Sequence, residues 1–124
     1  MGKSNLCRAA TTEKKVLALT FDDGPDKQNI PLLLDILKSE GVRATFFVLG
    51  HQVKKYVETT KRVINEGHQL ANHSWSHPDF LKLDNEKIVK RELLLTSKII
   101  EKISGNYPLF MRPPYGNISR NIIF

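Results

Sequence analysis

Six residues of this sequence stand in patterns that chemistry uses. His73 and His77 lie four residues apart in His-Ser-Trp-Ser-His-Pro, residues 73–78. That spacing brings two imidazoles to one side of a helical turn. Neutral imidazole is the commonest metal ligand, and two histidines with one carboxylate suit zinc. Three protein ligands would leave positions open for water, which is the pattern of a catalytic site. Asp22 and Asp23 offer carboxylates in Thr-Phe-Asp-Asp-Gly-Pro, residues 20–25. Adjacent acids repel, so their side chains must diverge or share a cation. Arg112 and Tyr115 stand in Arg-Pro-Pro-Tyr-Gly, residues 112–116. A guanidinium can orient a carboxylate through a forked hydrogen bond. Backbone N–H groups near Tyr115 could face a developing oxyanion. Each cluster also has a plainer reading: an Asp-rich turn, two surface histidines beside a buried Trp75, and a proline-stiffened turn.

For these clusters to act together, the elements between them must converge. Val16–Phe21 is a continuous apolar run that reads as a buried strand. Asn29–Glu40 carries apolar residues at Ile30, Leu33, Leu34 and Leu37, a helical spacing, with Pro31 in the first turn and Gly41 as the stop. Ala44–Leu49 reads as a second buried strand, Val53–Glu66 as a second helix stopped by Gly67, and Gln69–Asn72 as a short third strand. Asp84–Ser104 reads as a long helix, N-capped by Asp84 and stopped by Gly105. Leu109–Met111 reads as a fourth short strand before the Pro-Pro-Tyr-Gly turn. Strands alternating with helices over short connections predict an α/β fold of parallel β/α units. Such units place functional residues at the carboxyl ends of their strands. Asp22–Asp23, His73–His77 and Arg112–Tyr115 each follow a predicted strand, so all three clusters should meet on one face. A closed eight-stranded barrel takes about 250 residues. The 124 residues here hold about four units, and open sheet edges are expected.

Composition narrows the class. The hydrophobic share is 40% and the charged share 26%, enough for one small domain with a real core. The net charge of +6 comes from scattered Lys and Arg. No basic stripe interleaved with aromatics points to nucleic acid. No apolar run approaches the length of a membrane span. The single cysteine, Cys7, excludes an intrachain disulfide and falls in a predicted N-terminal tail, residues 1–14. Met1-Gly2-Lys3-Ser4 is not the start of a signal peptide. His51 reads as an exposed loop residue and His68 as a structural one.

The three clusters in this order resemble the polysaccharide deacetylases of carbohydrate esterase family 4, the NodB-like domain. The resemblance runs from about residue 15 to residue 120 and includes Thr45–Gly50 and His68–His73. It implies a distorted (β/α) barrel over residues 15–124, with its C-terminal portion missing. It implies that Asp22 is the general base, oriented by Arg112, and that the backbone N–H of Tyr115 is the oxyanion donor. Asp23, His73 and His77 would be the ligands of a divalent metal, zinc before cobalt, nickel or manganese. Neighbouring strand-end residues point in opposite directions, so one acid faces the ion and the other, Asp22, faces Arg112. The implied activity is hydrolysis of amide C–N bonds other than peptide bonds. It would remove N-acetyl or O-acetyl groups from a polysaccharide such as peptidoglycan or chitin, outside the cell or at its wall.

The family carries two further motifs downstream, one with Asp and Trp and one with the His that protonates the leaving amine. Residues 117–124 contain none of these. The alternative expectation is therefore a catalytically incomplete fragment that keeps its metal site. It would bind glycan without turnover or self-associate through open sheet edges and the apolar Ile122-Ile123-Phe124.

Overall fold

The computed structural model describes residue 7 and residues 9–119. Ile122-Ile123-Phe124 lies outside the described residues. Three parallel strands form one sheet in the order β1 (Thr20–Asp22), β2 (Thr45–Val48), β3 (Gln69–Asn72). Helices α1 (Asn29–Ser39), α2 (Gly50–Lys55) and α3 (Val57–Asn65) fill the two crossovers, and α4 (Glu86–Ser104) follows β3. This is the α/β architecture of parallel units read from the sequence.

Side chains alternate across a strand, and that alternation sorts the sheet into a core face and a site face. Phe21, Phe46, Val48 and Leu70 point to the core, where they meet Ile30, Leu34 and Leu37 of α1, Val63 of α3 and Ile100 of α4. Phe21 and Phe46 are register partners whose ring centroids lie 5.4 Å apart. Asp22 pairs in register with Phe47, and both belong to the opposite face. A second apolar cluster of Phe80, Val89 and Leu93, joined by Met111 and Ile118, sits where α4 meets the segment after it.

The element boundaries differ from the sequence reading in four places. β1 begins at Thr20, not Val16, and Val16 and Leu17 are exposed. Its partner strand starts at Thr45, opposite Thr20, so the residues before Thr20 have no strand residue facing them. The expected helix Val53–Glu66 is two helices. Gly50 and His51 already donate their N–H groups to the carbonyls of Ser74 and Trp75, which sets an earlier start. Tyr56, at φ −120° and ψ 59°, closes α2 by donating to Gln52 and opens α3 by accepting from Thr60. The N-cap of α4 is Asn85, not Asp84; its side chain accepts from the Lys87 N–H. Leu109–Met111 makes only a single parallel bridge, Asn72 to Met111. Gly105 ends α4 with φ 78°, as its position predicts. No helix of the described residues is long and apolar enough to cross a membrane.

Candidate metal centre

The sheet carries its polar residues out at the carboxyl ends of the strands. Asp22 is the last residue of β1, and the chain then turns at Asp23, φ 72°, before the cis Gly24–Pro25 peptide. The turn re-aims the second acid. Asp22 stays on the site face, where its Oδ1 accepts from Arg112 Nη1 at 2.6 Å. Asp23 swings towards the histidines instead.

His73 and His77 follow β3 in a tight loop. His73 is buried, and its N–H continues the ladder to the Val48 carbonyl. Ser74 and His77 have φ 76° and 64°. Together with Asp23 and Tyr115, φ 59°, they are the non-glycine residues of the described chain with positive φ. Each costs on the order of 1–3 kcal/mol and persists only where its surroundings over-determine it. All four lie in the three motifs.

The ligand geometry is closely spaced. Nε2 of His73 and Nε2 of His77 each lie 3.2 Å from the same oxygen, Oδ1 of Asp23. One ligand atom from each of these residues falls within 4.8 Å of the others. Two ligands on one tetrahedral zinc, at about 2.0–2.1 Å from it, would stand about 3.3–3.4 Å apart. Proton placement adds a second argument. Nδ1 of His73 is 2.6 Å from the Arg112 carbonyl oxygen, which can only accept. Nδ1 therefore carries a proton, and Nε2 is the ring nitrogen turned to the Asp23 oxygen. One imidazole nitrogen bonded to a backbone carbonyl, with the other free to coordinate, is the usual arrangement of a metal-ligating histidine. The donor set fits a divalent ion.

Around the ligands, the other sequence-predicted residues are brought together as well. Arg112 Nη1 also reaches Thr20 Oγ1 at 3.2 Å, and the guanidinium stacks over the Phe47 ring at 4.1 Å. The Tyr115 ring is exposed and meets His77 edge to face, with centroids 4.8 Å apart. His51 is exposed, and His68 is buried on the core side beside Phe46.

Several residues that hold the site were not singled out from the sequence. Asn72 is buried; its Nδ2 donates to the Leu93 carbonyl and Ser97 Oγ of α4, and its Oδ1 accepts from the Ser74 N–H. Glu92 of α4 accepts from the N–H groups of Trp75 and Ser76. Asn117 donates to both oxygens of Asp79, tying the Arg112–Gly116 turn to the segment after His77. Gly50 is required by contact: a Cβ there would fall 2.2 Å from the Trp75 ring. The one available signal was a charged residue, Glu92, set among the inward positions Val89, Leu93 and Thr96.

Fold and site together define a parallel β/α protein with a cluster of candidate metal ligands at its strand ends. The chain belongs to the polysaccharide deacetylase family, whose model matches residues 9–124. The peptidoglycan-N-acetylglucosamine deacetylase of Bacillus cereus is 45% identical over 108 residues, covering 87% of this chain and 39% of that protein. The peptidoglycan-N-acetylmuramic acid deacetylase PdaC of Bacillus subtilis is 49% identical over 106 residues, 86% of this chain and 22% of that protein. Among solved structures, the Bc1960 peptidoglycan N-acetylglucosamine deacetylase, in complex with 4-naphthalen-1-yl-N-oxidanyl-benzamide, has a TM-score of 0.84 at 44% identity, covering 86% of this chain and 49% of that one. The chain thus spans less than half the length of each.

Proposed function

We propose that this chain carries the metal-binding and base-bearing part of a deacetylase that hydrolyses N-acetyl groups on the amino sugars of peptidoglycan. The observation that carries the reading is the pairing of two imidazole Nε2 atoms on one Asp23 oxygen beside an Asp22 held by Arg112. The relatives named above are peptidoglycan deacetylases, which supports the substrate class. The ligand of Bc1960 is a hydroxamic acid by its name, and hydroxamates chelate metal ions, which supports metal dependence.

In this reading Asp23, His73 and His77 hold one divalent ion, with zinc first by its fit to two imidazoles and a carboxylate. When bound, that ion supplies Lewis-acid polarisation and lowers the pKa of water towards about 7. Asp22 takes the proton of the attacking water as general base. Arg112 fixes the carboxylate of Asp22 through the bond from Nη1 to Oδ1. The backbone N–H of Tyr115 donates to the oxygen that becomes negative as the acetamide carbonyl turns tetrahedral. The C–N bond then breaks, giving acetate and an amino sugar that takes up a proton. The family's downstream motifs would provide that proton. The place of action is the cell wall, where the substrate is.

The test is acetate release from peptidoglycan and from acetylated chitooligosaccharides, with and without added zinc. Zinc-dependent release from peptidoglycan that disappears in Asp22→Asn supports the proposal. Zinc-independent release, or release undiminished in Asp22→Asn, contradicts it.

A further inference from the structure

We infer that Glu92, which lies outside all three motifs, is a positioning residue for the histidine ligands; this rests on the metal-centre reading above. Glu92 sits on α4, seventeen residues beyond Trp75 in sequence. One of its oxygens, Oε2, accepts from the Trp75 N–H at 2.9 Å and from the Ser76 N–H at 2.8 Å. The other, Oε1, accepts from Ser76 Oγ at 2.9 Å. A single carboxylate thus binds three donors from two consecutive residues of the His73–His77 loop. It uses charge-assisted bonds, the stronger kind.

The loop needs such an anchor. Ser74 and His77 are both left-handed without being glycine, so the segment does not hold this shape by preference. Its N-terminal half is fixed otherwise: Asn72 Oδ1 accepts from Ser74, and the carbonyls of Ser74 and Trp75 accept from Gly50 and His51. Its C-terminal half has the bond from the His77 N–H to Ser74 Oγ, which is internal to the loop. Glu92 connects Ser76, the residue before His77, to the scaffold. It stands among inward positions of a nineteen-residue helix packed against β3 and α2. The position of the second imidazole is therefore set by a helix that contributes no ligand. Outer-sphere hydrogen bonds made directly to a ligand are typically worth about ten- to a hundredfold in metal affinity; Glu92 holds the loop backbone and not an imidazole, which puts its effect at the lower end.

The experiment measures zinc affinity by competition with a chromophoric chelator for the parent, Glu92→Ala and Glu92→Gln. It also measures amide hydrogen exchange at Trp75 and Ser76 in the metal-free proteins. The expected result is a loss of about tenfold in affinity for Glu92→Ala, the lower end of the range for outer-sphere partners. Both amides should exchange faster, and Glu92→Gln, whose carbonyl oxygen can accept both N–H groups, should restore both readouts most of the way. Unchanged affinity in Glu92→Ala overturns the inference, whatever the exchange shows, as do equal losses in Ala and Gln. If Glu92→Ala does not fold, Glu92→Asp keeps the charge but shortens the reach, and it must change both readouts in the same direction. If the parent binds no zinc, the metal reading falls and exchange alone decides the anchor: faster amides support it, and unchanged ones refute it.

Discussion

At the scale of the residue, the two adjacent acids face different partners because the backbone turns between them. Asp22 ends a strand and keeps the site-face direction; Asp23 enters the left-handed region and faces the imidazoles. This division predicts opposite phenotypes for similar changes. Asp22→Asn should retain metal and lose hydrolysis by about a hundred- to ten-thousand-fold, the usual worth of a general base. Metal content and acetate release measured on the same preparation check this. Loss of metal in Asp22→Asn would show that the acids are assigned the wrong way round. Gly50 makes a different prediction. A methyl group there meets the Trp75 ring at 2.2 Å and Thr96 Oγ1 at 2.6 Å. Gly50→Ala should cost about 1–3 kcal/mol by overpacking, read from the denaturant midpoint. It should also disturb the histidine loop, because Gly50 bonds the Ser74 carbonyl.

At the scale of the element, α1 and the β2–β3 crossover depend on single polar groups. The Asp26 carboxylate receives the N–H groups of Gln28, Asn29 and Ile30 at 3.1, 2.7 and 2.8 Å. Desolvation pushes its pKa up, but these bonds outweigh it and hold the carboxyl below its ordinary value. Asp26→Ala should cost about 1 kcal/mol of stability, the usual worth of a helix cap. His68 accepts from the Ala44 N–H through Nδ1 at 3.1 Å, and its buried Nε2 has no hydrogen-bond partner among the described residues. Desolvation lowers its pKa below the ordinary 6.5, aided by Arg43 and opposed by Glu66. Above pH 6.5 the ring is neutral both folded and unfolded, and its contribution is full. As pH falls below 6.5, the unfolded chain takes up the proton first, so stability is lost down to the lowered folded value. Urea midpoints between about pH 7.5 and 5 should fall in the parent and fall less in His68→Asn; identical slopes would count against this.

The same elements show what the sequence discloses. α1 and α4 were legible because their apolar spacing repeats for three turns or more and a glycine ends each. β2 was legible because it is an apolar run at the centre of the sheet, and β3 because it is a short segment bounded by Gly67 and the His73–His77 motif. The true start of β1 was not, since Val16 and Leu17 are as apolar as a strand and only the position of Thr45 shows that nothing pairs with them. The six proposed site residues were legible because chemistry restricts their types and spacing. Asn72 was not, because a polar side chain bonded to a helix 21 and 25 residues away leaves no local pattern, and Glu92 left only its charge among inward helix positions.

At the scale of the molecule, the proposed metal site and turnover should be separable. All candidate ligands and their hydrogen-bonded supports lie between Thr20 and Asn117, while the chain spans 39% of the B. cereus relative. The 124 residues on their own should therefore bind metal yet release acetate about a hundred- to ten-thousand-fold more slowly than that relative, the cost of a missing general acid. Rates on a common chitooligosaccharide check this, and equal rates would mean that every catalytic group is already present. The expected self-association through sheet edges finds no support in the described residues or in the relatives. The central claim is one divalent ion held by Asp23, His73 and His77. Its most direct test is the zinc content of purified, zinc-equilibrated protein, parent against Asp23→Ala, His73→Ala and His77→Ala. One zinc per parent chain is expected, and less than about a tenth of that in each variant, with folding intact by circular dichroism. Folded variants that keep the parent's zinc content would contradict it.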